Sequence, residues 1–425
     1  MKLHTKIIIG LVLGAAAGLA SYTWARDAAW TAWLREYIAQ PVGQIFLRLL
    51  IMTVVPLVFC SLTVGVAGLG DIRRIGRVGG RAIGYFLVST ALSATLGLIL
   101  VNLVRPGDGL DATVREQLMN TYRTQAQGIQ QAMTIKPGVD MVVNIVPRNP
   151  VKAAADLDML GIIFFSVMVG VALTLIPEEK SKPVQKLLEA GGDAIVKIID
   201  IAMQLAPYGV FGLIFVVTSR FGWDLLGALG KYVAVVLVGL LLHGAVTLSA
   251  MVRFLGGLNP VTFFSRIRAS MITAFSTSSS NATLPTNLAV AEEELGISPR
   301  IAGFVLPIGS TMCMNGTALY EGVTVLFLAQ VFGVPLSIGT QIFVIVLSVI
   351  TAVGAAGVPG GSLPLLMVVL ATVGVPPEAI AVILGVDRIL DMSRTTLNVI
   401  GDMSATVYVA RTEDGWDARR VRQAA

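Results

Sequence analysis

One apolar segment near the end of the chain, Gly385–Asp402, reads GVDRILDMSRTTLNVIGD and carries three carboxylates and two arginines. An α-helix repeats every 3.6 residues, so Asp387, Asp391, Arg394, Asn398 and Asp402 fall on one stripe. Arg388 points roughly 100° away from Asp387. Against lipid, each charge near the bilayer centre costs at least ~2.5–3.5 kcal/mol. The stripe must therefore face protein or a water-filled cavity, and it is the first candidate for a functional site.

The composition supplies the membrane. Of 425 residues, 55% are hydrophobic and 13% charged, with mean hydropathy +0.79. Soluble domains carry about 25% charged residues. The net charge of +5 is not a nucleic-acid signal, because the basic residues sit in short segments between apolar runs. Cys60 and Cys313 both lie in apolar runs and suggest neither a disulfide framework nor a metal site. His4 and His243 are far apart and have no cysteine partner, which argues against a metal cluster and against a Ser-His-Asp triad. Lys2 and Lys6 before Ile7–Ala20 imitate a signal peptide. A further apolar stretch follows soon after, with Trp24 and Trp30 suited to an interfacial belt, so this run reads as a first span.

Further spans are expected near Val42–Leu69, Ile83–Leu103, Met159–Ile176, Ala194–Val217 and Leu225–Met251. Pro56 predicts a kink in the second. Arg73, Arg74, Arg77 and Arg81, then Lys180, Lys182 and Lys186, then Arg253, Arg266 and Arg268 mark cytoplasmic junctions, with both termini inside. The polar stretch Arg105–Asp158 is too polar to span, and short helices or extended segments on the outer side are expected there.

The second half is broken repeatedly. Eight of the ten residues Ser276–Pro285 (STSSSNATLP) are Ser, Thr, Asn or Pro. Such residues are poor in helix interiors and rich in oxygen ligands. CMNGT (Cys313–Thr317) interrupts Ile301–Val331, and GAAGVPGGS (Gly354–Ser362) interrupts Ile338–Val373. Each break has a structural alternative: an extramembrane loop, helix packing around Gly316, or a kink or turn between short spans. Asp387 and Arg388 likewise read as structural ion-pair partners. Paired broken segments beside a charged stripe point instead to a transporter's midplane site, where irregular backbone lines a cavity.

Four ordered motifs carry a resemblance: SSSNATLP (278–285), CMNGTALYEGV (313–323), GAAGVPGG (354–361) and DRILDMSRTTLNVIGD (387–402). They resemble those of the glutamate/aspartate and dicarboxylate:cation symporters, the family that includes the excitatory amino acid transporters. RLLIMTVVPLVFCSL and IVPRNPVKAAA extend the likeness over essentially the whole chain. The resemblance implies an all-α integral membrane protein of eight transmembrane helices and two re-entrant hairpins, assembled as a homotrimer. It also implies a scaffold of residues 1–81 and 105–221. Span three (82–104) and residues 222–425 would form a transport domain that slides in an elevator-like motion, with the second hairpin as gate.

Carried over residue by residue, the resemblance assigns Arg394 to a substrate's side-chain carboxylate, which a guanidinium fork fits bidentately. Thr317 would add a hydroxyl there. Asp391 would pair with the α-ammonium. Asn398 and the backbone around Ser279 and Ser280 would hold the α-carboxylate, favoured by half-helix N-termini. Val358, Ser362 and Thr395 would line the pocket. In this family the arginine goes with acidic substrates and the aspartate with amino acids, so both together imply an acidic amino acid.

Asp402 resembles the carboxylate of one sodium site, with the carbonyls of Gly309, Cys313 and Asn398. A second site would use carbonyls of Thr311, Ala352, Val353 and Ala355, hard oxygens that suit a small cation. A third site departs from the family pattern. Where relatives read NMDGT this chain reads CMNGT, so Asn315 replaces the carboxylate. Phe86 stands where tyrosine is common, although Ser89 and Thr90 keep two hydroxyls. This third site is expected to be empty or weak. Glu321 occupies the position of a glutamate in proton-coupled relatives and is a candidate proton carrier; its structural alternative is a glutamate satisfied by its neighbours. Asn281 replaces a serine common at the first hairpin's tip.

The expected function is secondary active symport of glutamate or aspartate with sodium, protons or both, in a multi-pass inner or plasma membrane protein without a further cofactor. C4-dicarboxylate or neutral amino acid carriage on the same fold is the alternative. No ring of charges or filter repeat supports a dedicated channel, no P-loop supports ATP drive, and Ser279, Ser280 and Asp391 lack a His or Lys base for an intramembrane enzyme.

Overall fold

The computed structural model describes residues 3–25, 28–68, 72–108, 146–155, 159–354, 357, 360–413, 415–417 and 421. Among these residues there are helices and no strands. The principal helices are α1 (Leu3–Trp24), α2 (Gln40–Ile51), α3 (Val54–Gly68), α4 (Ile72–Val104), α5 (Met159–Leu175), α6 (Glu178–Leu242), α7 (Arg268–Thr277), α8 (Ser280–Ala289), α9 (Pro299–Met312), α10 (Asn315–Phe332), α11 (Ile338–Gly354), α12 (Leu363–Thr372) and α13 (Leu384–Glu413). Among the described residues, five helical stretches are long and apolar enough to cross a membrane. Leu13, Ile99, Leu103, Ile201, Leu241 and Phe254 are all exposed on helix faces, as a lipid-facing surface requires.

The expected spans are helical, with four shifts. Pro56 does not kink a continuous span. The chain breaks just before it, at Met52–Thr53, and Pro56 falls in the first turn of α3, where its missing N–H costs nothing. The basic run ending at Arg81 is the start of α4 rather than a loop. Lys180, Lys182 and Lys186 likewise sit inside α6, which merges the fifth and sixth spans. Gly222 divides them with φ 64° and ψ −143°, a conformation open essentially to glycine alone. Most of the polar stretch after Arg105 lies outside the described residues.

Small residues let helices approach. On α1, Gly14 faces the backbone of α6, and a Cβ there would come within 2.7 Å of the Phe211 carbonyl. Gly10 and Gly18 repeat the contact one turn on either side, the small-xxx-small pattern of membrane packing. The centre of the molecule is α10, every residue of which except Gln330 is buried. Helices α4, α6, α11 and α13 pack around it. Polar links stitch α4 to α13: Arg81 pairs with Glu413 at 2.7 Å, and Tyr85 is hydrogen-bonded to Ser404.

The three breaks in the second half interrupt helices as anticipated. Helices α7 and α8 pack against each other and meet at Ser278–Ser279, where Ser278 is left-handed (φ 53°). Helices α9 and α10 are separated by Cys313–Met314, and α11 and α12 by the Gly-Pro-rich stretch. Two helix pairs and one unwound helix thus converge on the stripe of α13.

Candidate functional site

Asp387, Asp391, Arg394, Asn398 and Asp402 are all buried on α13, with Asp402 fully so. The heptad-like spacing puts them on the face that packs against α10, α9 and the broken segments. The Arg394 guanidinium is the hub. Its Nη2 and Nε donate to Asp391 Oδ1 at 2.7 and 3.1 Å. Its Nη1 donates to Asp387 Oδ1 at 3.1 Å. The group also lies 4.2 Å from the Tyr320 ring centroid, in cation–π range. Tyr320 Oη donates to Asp387 Oδ1 at 2.7 Å. Asp391 Oδ2 accepts from Gly360 N at 3.2 Å and from Arg388 Nη1 at 3.4 Å. Two carboxylates and two guanidiniums therefore form a neutral buried cluster. Losing any one member leaves a buried charge unpaired, at a cost of about 3–5 kcal/mol. Asp387 pairs with Arg394 rather than with its neighbour Arg388, which reaches Asp391 instead.

A small cavity of about 20 Å³ lies against this cluster, room for about one water. Among the residues expected to bind substrate, Ser280, Thr317, Ser362, Asp391, Arg394, Thr395 and Asn398 line it. Ser279 is beside it but engaged elsewhere: its Oγ caps α8 by accepting from Ala282 N at 3.1 Å, and donates to Gly357 O at 2.5 Å. Val358 lies outside the described residues. Ser278, Met314 and Gly357 also line the cavity and were not singled out from the sequence. All three sit inside motifs that were, so the signal was the motif rather than the residue. Asp387 was on the charged stripe and Tyr320 inside the CMNGTALYEGV motif, but neither was assigned the role of orienting Arg394 that the structure shows.

Asn398 bridges the unwound segment. Its Oδ1 accepts from Gly316 N at 2.7 Å, satisfying one of the orphan amides that open α10, and its Nδ2 donates to Thr317 Oγ1 at 3.2 Å. Gly316 is required here, since a Cβ would run into the backbone of Arg394, 2.7 Å from its Cα.

Asp402 is the clearest candidate for holding a cation. Neither of its oxygens has a hydrogen-bond partner of ordinary geometry among the described residues; the Cys313 thiol beside it is a weak donor. A buried, unpaired carboxylate is costly unless a cation joins it. Its Oδ1 overhangs Gly309, where a Cβ would fall 2.7 Å away. Cys313 has left helical geometry (ψ 79°), which frees its carbonyl from the helix ladder. For the second expected set, Thr311 lies at the end of α9, and Ala352 and Val353 at the end of α11, which packs against α9. Helix C-termini carry unpaired carbonyls and a partial negative charge suited to a cation. Ala355 lies outside the described residues. Among the described residues, no three His, Cys, Asp or Glu side chains cluster as a transition-metal site would require.

At the expected third site the Asn315 oxygens are taken up by hydroxyl donors, while its Nδ2 has no partner among the described residues. Asn315 Oδ1 accepts from Thr90 Oγ1 at 2.8 Å and from Ser89 Oγ at 3.1 Å. Ser93 Oγ donates to Asn315 O at 2.8 Å. Phe86 is buried beside Gly309 and offers no side-chain oxygen. Glu321, fully buried in α10, accepts from Thr351 Oγ1 of α11 at 2.7 Å through Oε2. Its Oε1 has no partner among the described residues.

Irregular backbone, helix ends and a neutral ion cluster around a small cavity inside an apolar helical bundle are the arrangement of a membrane carrier, with polar groups placed to bind. The chain belongs to the sodium:dicarboxylate symporter family, whose pattern matches residues 3–412. It is 36% identical to the proton/sodium-glutamate symport protein of Bacillus caldotenax, over 98% of this chain and 96% of that protein. It is 35% identical to the proton/glutamate-aspartate symporter of Escherichia coli (strain K12), over 99% and 94%. It is also 33% identical to the C4-dicarboxylate transport protein of Bacillus subtilis (strain 168), over 98% and 94%.

Proposed function

We propose that this chain is a secondary active symporter that imports an acidic amino acid, glutamate or aspartate, together with sodium, protons or both. The observation that carries this reading is the buried Arg394–Asp391 pair at the wall of the cavity. A guanidinium for a carboxylate and a carboxylate for an ammonium are the two complementary halves that an acidic amino acid needs. The relatives described as glutamate and glutamate-aspartate symporters support it. Opening of the cavity lets the substrate's own charges replace the internal pairs.

The unpaired Asp402 carboxylate with the carbonyls near Gly309, Cys313 and Asn398 takes one sodium ion, and the ends of α9 and α11 around Thr311, Ala352 and Val353 take a second. Glu321 carries a proton. The helix pairs α7–α8 and α11–α12 act as re-entrant hairpins, and with α4, the part of α6 after Gly222, α9, α10 and α13 they form a transport domain that moves as an elevator against the remaining helices within a homotrimer. Both termini lie on the cytoplasmic side of the inner or plasma membrane.

Radiolabelled aspartate uptake into liposomes holding the purified protein tests the reading, with sodium and proton gradients imposed separately and then together. Uptake under either gradient supports it. Aspartate that moves under neither overturns the substrate assignment. C4-dicarboxylate carriage is the second reading, favoured by the relatives of that description and opposed by Asp391, whose charge faces the place where such a substrate has no ammonium.

A further inference from the structure

We infer that Arg388 stands in for the substrate's ammonium on Asp391 and thereby sets how strictly the site demands an amine. The inference rests on the acidic amino acid reading of the same site.

Both oxygens of Asp391 are engaged. Oδ1 is held by Arg394, with donors at 2.7 and 3.1 Å. Oδ2 is held by Gly360 N at 3.2 Å and by Arg388 Nη1 at 3.4 Å. The Arg388 contact is the longest of the four, and so the weakest hold. Arg388 is 9% exposed and does not line the cavity; its Nε is buried without a partner among the described residues. A guanidinium buried to this degree on an apolar helix needs an anion, and Asp391 is that anion.

A substrate carboxylate that takes Arg394 removes the Oδ1 partner of Asp391. Two cations can then neutralise Asp391: an ammonium on the substrate, or Arg388. With an amino acid, the ammonium takes over and the long Arg388 contact yields. With a dianion that has a hydroxyl or hydrogen in place of the amine, Arg388 remains, and Asp391 is not left unpaired beside a second anion. Arg388 is thus a positioning residue that acts through Asp391. It softens the amine requirement that Asp391 alone would impose.

The test is displacement of labelled aspartate by L-malate from the purified full chain, in the wild type, Arg388→Gln and Arg388→Lys. Malate displaces aspartate from the wild type, and the ratio of malate to aspartate dissociation constants rises about tenfold or more in Arg388→Gln. Arg388→Lys keeps the charge and returns the ratio to within about threefold of wild type. In an Asp391→Asn background, where labelled malate itself is the ligand, Arg388→Gln no longer changes malate binding, which a purely structural role for Arg388 does not predict. A ratio within about twofold of wild type in Arg388→Gln overturns the inference. Failure of malate to displace aspartate from the wild type at roughly a thousandfold excess overturns it whether or not the variants fold. Aspartate that does not bind the wild type instead removes the acidic amino acid reading, and this inference with it.

Discussion

Ser279 Oγ donates a 2.5 Å hydrogen bond to the carbonyl of Gly357, joining the α7–α8 break to the α11–α12 break directly above the cavity. Asn281 N donates to the same carbonyl at 3.2 Å. One carbonyl thus fastens both segments and holds the two tips closed on each other.

Gly357→Ala should loosen that closure. The added Cβ would sit 2.9 Å from Asn281 Oδ1 and 2.9 Å from Ser310 O, closer than real Cβ contacts allow. Overpacking of this kind costs about 1–3 kcal/mol, which acts here on the closed state. The expected outcome is aspartate affinity weakened by roughly tenfold, with a faster dissociation rate. Equilibrium binding and dissociation of labelled aspartate check both, and unchanged kinetics would show that these tips part without resistance.

Arg394 has a second consequence for substrate choice. Its fork engages Asp391 and Asp387 at once, a geometry that lysine's point charge does not reproduce. Arg394→Lys should weaken aspartate binding by about a hundredfold, while Arg394→Thr should abolish it and leave the α-amino and α-carboxylate contacts for a neutral amino acid. Uptake of labelled serine and of labelled aspartate, measured separately in the two variants, reads this directly. Unchanged aspartate affinity in Arg394→Thr would remove the arginine from the site.

The stripe on α13 was legible because charges in an apolar run leave few options, and the breaks were legible because Gly, Pro and Ser clusters cannot continue a helix. What the sequence did not disclose is pairing. Asp387 and Arg388 are adjacent, yet Asp387 pairs with Arg394 two turns away. Helical side chains lean toward the N-terminus, which lets the long arginine reach back over Asp391 to Asp387. Nor does local sequence say which tip atoms meet, since the Ser279–Gly357 contact joins residues 78 positions apart. The Met52–Thr53 break escaped notice because Pro56, the stronger local signal, is tolerated one turn into the next helix.

Sodium dependence should separate the cation sites. Asp402 is a buried carboxylate without an ordinary hydrogen-bond partner, so Asp402→Asn should raise the sodium concentration for half-maximal aspartate binding about tenfold or more. The Asn315 position is occupied by hydroxyl donors from Ser89 and Thr90. With no carboxylate there to balance another cation, the wild-type Hill coefficient for sodium should stay near about two. Asn315→Asp restores a charge among those hydroxyls and should steepen it. A wild-type Hill coefficient near the three-ion limit contradicts the weak third site.

Glu321 is tied to α11 by the Thr351 hydroxyl at 2.7 Å, while its other oxygen has no partner among the described residues. This half-satisfied arrangement fits a side chain that gains and loses a proton: a carboxylate uses the hydroxyl as donor, and a carboxylic acid has its own proton to place. Glutamine keeps the shape and an acceptor oxygen for Thr351 but cannot titrate. Glu321→Gln should therefore cut aspartate uptake driven by a proton gradient by about tenfold or more, and leave sodium-driven uptake within about threefold of wild type. Thr351→Val removes the donor without removing the carboxyl group, so it should shift the pH dependence of uptake while proton drive persists. A Glu321→Gln protein that responds to a proton gradient as the wild type does would make Glu321 a structural anchor between α10 and α11, and proton coupling would have to be sought at Asp402.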